Sequence, residues 1–177
     1  MKHLLTIIIL LLAFTGCTTE KDRTRMRAGL DTLNQRNRNY ELLPIGEVQP
    51  FVEFFDHHGT PNDRLLAHYL LGRAYHGNGE APMALQCYQQ AIECADIADE
   101  DCDYAQLSRV YGQMGLIYYQ QNLVRYRIEM IQNAVKYALL AKDSLTAMLN
   151  YEQLCGVYER LGNLDSSLFV IDSAAVW

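Results

Sequence analysis

The chain has 177 residues, of which half are hydrophobic and 20% are charged, so it is long and apolar enough to bury a core. Its formal net charge of −6 argues against a general nucleic-acid binder, which would carry a basic stripe. With only 4 prolines and 11 glycines, the composition also argues against a low-complexity chain.

Residues 1–16 are predicted to be an export signal. A basic start precedes an apolar run over residues 4–14, too short for a membrane-spanning helix of roughly 20 residues but typical of a secretory signal. The run ends in Phe14-Thr15-Gly16-Cys17, which resembles the lipobox of bacterial lipoproteins. The resemblance implies cleavage before Cys17 and acylation of its thiol, for example with palmitate. A cleaved signal without lipid is the alternative.

Residues 17–45 are predicted to form a polar tether between the anchor and the folded domain. The segment carries six basic side chains, and its pattern allows a helix over 24–35. These cations could contact anionic lipid headgroups at about 1 kcal/mol each, or simply be solvated.

A short amphipathic helix is predicted after the turn at Pro44-Ile45-Gly46. Val48, Phe51, Val52 and Phe55 recur at helical spacing and would form one apolar face. The pattern predicts a helix over residues 48–58 that ends at Gly59.

A repeated pattern follows, in which an apolar residue, a small residue and, three positions further, a tyrosine recur. The copies are Leu71-Gly72-x-x-Tyr75, Met114-Gly115-x-x-Tyr118 and Leu154-Cys155-x-x-Tyr158. Ala84, Tyr88 and Ala91 extend the first copy, and the third copy continues at the same spacing. The pattern resembles the tetratricopeptide repeat (TPR), a 34-residue pair of antiparallel helices. The resemblance implies an all-α, right-handed solenoid of about three TPR-like hairpins over 63–98, 104–143 and 146–177, within a domain over 46–177.

The small residues are interpreted as packing devices. Gly72 and Ala84 would let two helix backbones approach while Tyr88 fills the space beside them, and the helices would reverse at Asn78-Gly79, Gln121-Asn122 and Gly162-Asn163. The spacing from Gly72 to Gly115 is 43 residues and that from Gly115 to Cys155 is 40. We therefore expect a longer connection at residues 95–103 and, in the second copy, a second helix extended by one or two turns.

Signals for catalysis, cofactors and metals are poor, and the chain is predicted not to be an enzyme. Phosphate loops, serine-nucleophile elbows and metal-binding histidine pairs are missing from the sequence. Asp99, Asp101 and Asp103 alternate as in a calcium loop, but Tyr104 replaces the required glycine. Asp103 is instead predicted to cap the next helix, with Gln106 completing a capping box.

Four cysteines follow Cys17. Cys87 and Cys155 are predicted to be small buried apolar residues. Cys94 and Cys102 flank the acidic connection, and an exported compartment would permit a disulfide between them. The sequence leaves open whether that bridge forms.

The TPR resemblance implies a concave groove, lined by the first helix of each repeat, in which a partner peptide lies. A polarity from arginine to glutamate would orient that peptide, and solvated helix faces are the alternative interpretation. The implied groove residues are Tyr69, Arg73, His76, Arg109, Tyr119, Glu152 and Glu159.

These features predict a lipid-anchored envelope scaffold that binds a protein or peptide and no nucleic acid, resembling bacterial lipoproteins of the Bacteroides-like type. Thr18 stands where some inner-membrane lipoproteins carry aspartate, which favours the outer membrane. The alternatives are the N-terminal sensor part of a longer TPR signalling protein and a SusD-like glycan-binding lipoprotein. The last helix, with Phe169 and Trp177, predicts self-association through an uncovered apolar strip.

Overall fold

Residues 20–174 are described by the structure, a computed structural model, and all regular secondary structure within them is helical. Short connections join most of the helices, so that neighbours along the chain are also neighbours in space. The described helices are α1 (Glu20–Arg38), α2 (Ile45–His58), α3 (Pro61–Gly77), α4 (Ala81–Cys94), α5 (Tyr104–Gln120), α6 (Val124–Leu140), α7 (Ser144–Arg160) and α8 (Leu164–Ala174).

The last six helices form three antiparallel hairpins, α3/α4, α5/α6 and α7/α8, which stack in chain order. One core runs from Leu30 in α1 through Leu65 and Tyr88 to Tyr137 in α6. A smaller cluster around Leu154 joins the third hairpin to the second. The predicted all-α solenoid of three hairpins is therefore confirmed, and because each hairpin buries its apolar face against the next, the stack itself is the core.

The predicted reversal points are confirmed by their backbone conformation. Gly79, Asn122 and Gly162 have φ values of 80°, 58° and 69°. The residue after each of them donates its backbone N–H to the carbonyl of a repeat tyrosine, Tyr75, Tyr118 or Tyr158, at 2.8–3.0 Å. Each first helix thus ends in the same left-handed cap, which explains why glycine and asparagine recur at these places.

The contact between α3 and α4 depends on Gly72. A Cβ atom placed on this residue would lie 2.4 Å from Cε1 of Tyr88, whose ring is fully buried. A Cβ atom placed on Gly115 would lie 3.5 Å from Cβ of Met130, so the helices of the second hairpin are packed less closely there. The packing role predicted for Gly72 and Tyr88 is confirmed.

The start of the chain differs from the predicted polar tether. Residues 20–38 form α1, in which Leu30 and Leu33 are buried against the other helices. Met26 also packs against the core, so one face of α1 is apolar at positions i, i+4 and i+7. The charged residues of α1 outnumber those of this narrow apolar face, and for that reason the sequence pattern favours a solvated tether. The next helix, α2, begins at Ile45 and ends before Gly59, as predicted at its C-terminal end.

Asp63 joins α1 to the first hairpin. Arg27 donates to its carboxylate twice, from Nε to Oδ1 at 3.0 Å and from Nη2 to Oδ2 at 2.6 Å. Asp63 also completes a capping box with Thr60 at the start of α3. Burial by itself would raise the pKa of Asp63, but the hydrogen bonds from Arg27 and Thr60 outweigh it and hold that pKa below its usual value.

The acidic connection over residues 95–103 accounts for the long spacing between the first two copies. Asn62 of α3 holds its end, because Nδ2 donates to the Asp101 carbonyl at 2.7 Å and Oδ1 accepts from the Asp103 N–H at 3.0 Å. Asp103 caps α5 by accepting from the Gln106 N–H at 2.8 Å. Gln106 does not complete the predicted capping box, because Asn62 already takes the Asp103 N–H.

The second helix of the second hairpin is longer than that of the first, but by less than the predicted one or two turns. α6 has 17 residues, whereas α4 has 14. No glycine or proline interrupts α6, so its helical hydrogen bonds continue without a break.

The four cysteines of the described range are free thiols, Cys87 and Cys102 buried and Cys94 and Cys155 partly buried. Burial raises the pKa of Cys87 to about 11, as expected for an apolar structural thiol.

Over residues 20–174, none of the helices combines the length and the apolar character that a membrane span requires. The predicted export signal, the predicted lipidation site Cys17 and the terminal Trp177 lie outside the described residues.

Candidate functional site

A polar groove runs along one side of the stack, where α1, α3, α5 and α7 lie next to one another. It encloses a cavity of about 350 Å³. Because α3, α5 and α7 are the first helices of their hairpins, this is the surface on which the sequence predicts a groove. We call it the arginine groove; its lining residues are Asn34, Asn37, Arg38, Tyr40, Tyr69, Arg73, Ser108, Arg109, Gly112, Gln113, Thr146 and Asn150.

The groove is basic although the protein is acidic. Arg38, Arg73 and Arg109 line it, and no aspartate or glutamate does. Within residues 20–174, none of the three has a carboxylate oxygen within 4.0 Å. Asp143 at the start of α7 is the nearby acid; hydrogen bonds from Thr146 lower its pKa, and the charge of Arg109 adds a weaker contribution. The groove therefore concentrates positive charge that no lining carboxylate neutralises.

Arg73 makes the most side-chain hydrogen bonds of these three cations. Its Nε donates to Asn37 Oδ1 at 2.8 Å, and its Nη1 donates to Gln113 Oε1. These contacts tie α3 to α1 on one side and to α5 on the other. Because both acceptors are neutral amides, they fix the guanidinium plane without cancelling its charge, which leaves further N–H donors for a ligand.

Two tyrosines give the groove apolar surface at different depths. Tyr69 is buried in the floor, with its ring centroid 6.1 Å from that of Tyr88. Tyr40 stands at the rim, where its side chain is 92% exposed and its backbone has a φ of 60°. This conformation is the left-handed cap of α1, because Glu41 donates its backbone N–H to the Arg36 carbonyl at 3.0 Å.

A smaller cavity of about 240 Å³ adjoins the groove and shares Asn37, Tyr40 and Arg73 with it. His76 lines this neighbouring cavity, and its Nε2 lies 3.1 Å from Gln120 Oε1 of α5. The structure thus brings together four of the predicted groove residues: Tyr69, Arg73 and Arg109 in the groove, and His76 beside it.

The other three predicted residues lie elsewhere. Glu152 and Glu159 line a separate cavity between α7 and α8. On α7 the groove is lined by Thr146 and Asn150, and Glu152 is about 200° further round the helix axis than Asn150. The predicted change from arginine to glutamate therefore does not occur within one groove.

Tyr119 lies two turns beyond Gly112 on α5, about 10 Å further along the helix axis. It lines a cavity at the edge of the stack, together with Arg127 and Arg160. Tyr119 is therefore on the side of α5 that faces the groove, but it lies too far along the helix axis to line it.

The predicted groove lacks the contribution of α1, which supplies Asn34, Asn37 and Arg38. The spacing of Met26, Leu30 and Leu33 was the available signal, because it indicates a packed helix whose next turn carries these polar residues. The amide acceptors that hold Arg73 are also absent from the prediction, because no local pattern marks them.

Clusters suited to a metal are not found in the described range: no group of three or more His, Cys, Asp or Glu side chains over residues 20–174 is placed to hold an ion. The alternating aspartates of the acidic connection instead make local contacts, such as the Asp99 carboxylate accepting from the Asp101 N–H at 3.0 Å.

Comparisons with known proteins show the fold. No protein-family description matches the sequence, and no curated protein matches it. Among solved structures, the chain is similar to the TPR-like repeats of a protein described as a kinesin light chain from Podosopora anserina, with 16% identity and a TM-score of 0.56. The match covers 86% of this chain and 74% of that chain, and a single-residue variant of the same protein gives the same values. The chain therefore has a TPR-like repeat fold.

Proposed function

We propose that this protein is a lipid-anchored envelope scaffold that binds an acidic segment of a partner protein in the arginine groove. TPR-like repeats commonly mediate protein–protein interaction and are typically non-catalytic. The observation that carries the proposal is the groove itself, in which three arginines face a shared cavity without any lining carboxylate.

The chemistry of the groove favours carboxylates on an extended peptide. Arginine donates two parallel hydrogen bonds to a carboxylate, and Arg73 is already oriented by Asn37 and Gln113. The rim and floor tyrosines offer aromatic contact surface, which together with arginine is enriched among residues that dominate binding energies. An acidic segment would also be attracted at a distance, while a basic one would be repelled.

The proposed anchor places the domain close to a membrane. Only two residues separate Cys17 from Glu20, where α1 begins. At no more than about 3.6 Å per residue, three steps span about 11 Å, so a lipid on Cys17 would hold α1 near the headgroups. The exposed side chains of Lys21, Arg23 and Arg25 would then lie where anionic lipids attract them.

Replacing Cys17 by alanine is expected to prevent lipidation and so to release the protein from membranes or leave its signal uncleaved. Fractionation of cells, with mass spectrometry of the mature N-terminus, measures both outcomes. Cys155→Ala is the matched control, because that thiol belongs to the folded domain. A Cys17→Ala protein that is processed and sediments with membranes like the wild type would contradict the anchor.

The groove is tested by selecting peptides from a random library on the folded domain, residues 20–174. We expect the selected peptides to be rich in Asp and Glu, and Arg73→Glu or Arg109→Glu to weaken their binding at least about tenfold, since each removes a charge-assisted contact. Arg125→Glu makes the same charge change at an exposed position of α6 outside the groove, and it should leave binding nearly unchanged.

Selection of neutral or basic peptides, or equal losses in all three variants, would contradict the groove assignment. Binding of an oligosaccharide by a domain that selects no peptide would favour the SusD-like alternative.

A further inference from the structure

A second basic site lies at the edge of the stack, outside the arginine groove. Two guanidinium groups there approach one aromatic ring: Cζ of Arg127 lies 4.3 Å, and Cζ of Arg160 5.9 Å, from the centroid of Tyr119. The three side chains line a cavity of about 210 Å³ between the end of α5, the start of α6 and the end of α7. The site therefore joins the second hairpin to the third.

Among the residues that the structure describes, the two arginines have no counter-charge. No acidic side chain lines the cavity, and neither guanidinium has a carboxylate within 4.0 Å among residues 20–174. Burial lowers the pKa of Arg127, and the neighbouring charge of Arg160 lowers it further. Arg127 also lies in the first turn of α6, where the helix dipole disfavours a cation. An anion bound between the two would relieve this repulsion.

The hydrogen-bond donors of the site are also largely unused. Arg160 donates Nε to the Gly156 carbonyl at 3.0 Å, which leaves its two terminal nitrogens available. The guanidinium of Arg127 is partly buried, yet it makes no hydrogen bond with another residue of the described range. Its ring contact with Tyr119 fixes the side chain but satisfies none of its five N–H donors.

We propose that Arg127, Arg160 and Tyr119 form a binding site for a phosphate group carried as a monoester. A phosphate monoester has close to two negative charges and three acceptor oxygens, which matches two arginines better than a single carboxylate would. The cavity admits the phosphate together with part of its ester, while Leu123 and Val157 supply apolar wall. The ring of Tyr119 keeps Arg127 in place, which makes it a positioning residue.

The phosphate group could belong to a soluble compound or to a lipid headgroup, and the probes distinguish the two. They are glycerol 3-phosphate in solution and vesicles containing phosphatidic acid, each compared with potassium chloride at equal ionic strength. Binding is followed by titration calorimetry or vesicle sedimentation, and by the NMR signals of the arginine Nε–H groups. We expect saturable binding that shifts the signals of Arg127 and Arg160.

Single-residue variants identify the side chains that bind the phosphate probe. Arg127→Gln and Arg160→Gln should each weaken binding at least about tenfold, because each removes a charge-assisted donor pair. Tyr119→Phe should retain binding, since the ring and not the hydroxyl holds Arg127. Arg125→Gln, at an exposed position of α6 outside both cavities, is the matched control and should bind like the wild type. Arg109→Gln tests whether the probe binds in the arginine groove instead. Unchanged circular dichroism and unfolding midpoints separate loss of the site from loss of the fold.

Binding of either probe that depends on Arg127 and Arg160 but not on Arg125 supports the proposal, and the probe that binds identifies the source of the phosphate. Binding lost in Arg109→Gln but kept in Arg127→Gln would overturn it, as would failure of both probes to bind the wild type.

Discussion

Alanine at Gly72 is expected to destabilise the protein, whereas the same replacement at Gly156 should stabilise it. Both glycines lie inside helices, α3 and α7, where alanine is intrinsically better by about 0.5–1 kcal/mol. At Gly72 the new Cβ would lie 2.4 Å from the buried ring of Tyr88, whereas at Gly156 no atom lies within 4 Å of that position. Overpacking of this kind typically costs about 1–3 kcal/mol.

Urea unfolding of the two variants beside the wild type measures this difference. The midpoint should fall for Gly72→Ala and rise for Gly156→Ala, at unchanged slope. Gly72→Leu and Ala84→Leu should lower it further, because both force bulk between α3 and α4. Equal midpoints for Gly72→Ala and Gly156→Ala would show that α3 and α4 do not meet at Gly72.

Removal of the Asp63 carboxylate should cost about 2–4 kcal/mol, because it removes both the bidentate contact with Arg27 and half of a capping box. Arg27→Ala should cost less, about 1 kcal/mol, since the Arg27 side chain is half exposed and Asp63 keeps its cap. Unfolding of both single variants and of the double variant gives their coupling. Faster tryptic cleavage within α1 should accompany the loss.

The pH dependence provides the control for this prediction. Because the folded-state pKa of Asp63 is lowered, its contribution is present above the unfolded pKa of about 3.9 and is lost as the pH falls through the folded value. The difference between wild type and Asp63→Ala should therefore shrink below about pH 4. A difference that stays constant from pH 7 to pH 3 would mean that the carboxylate is not the source of the stabilisation.

The sequence by itself determined the hairpins, because their signals are local. Small residues at helix contacts, left-handed caps four residues after each repeat tyrosine, and the acidic connection can be read from neighbouring positions. Gly72 with Tyr88, and Gly79, Asn122 and Gly162, stand in the structure where the spacing predicts them.

The tertiary structure alone decided how those helices combine into a site. Arg73 finds its acceptors 36 and 40 residues away, on Asn37 and Gln113, and Arg27 finds Asp63 at a separation of 36. Such pairs depend on the rotation of each helix about its axis and on which turn meets which, and neither quantity is written in a local pattern. The same reason places Glu152 and Tyr119 outside the arginine groove although their helices line it: a change of two residues turns a side chain by about 200°, and two turns move it by about 10 Å.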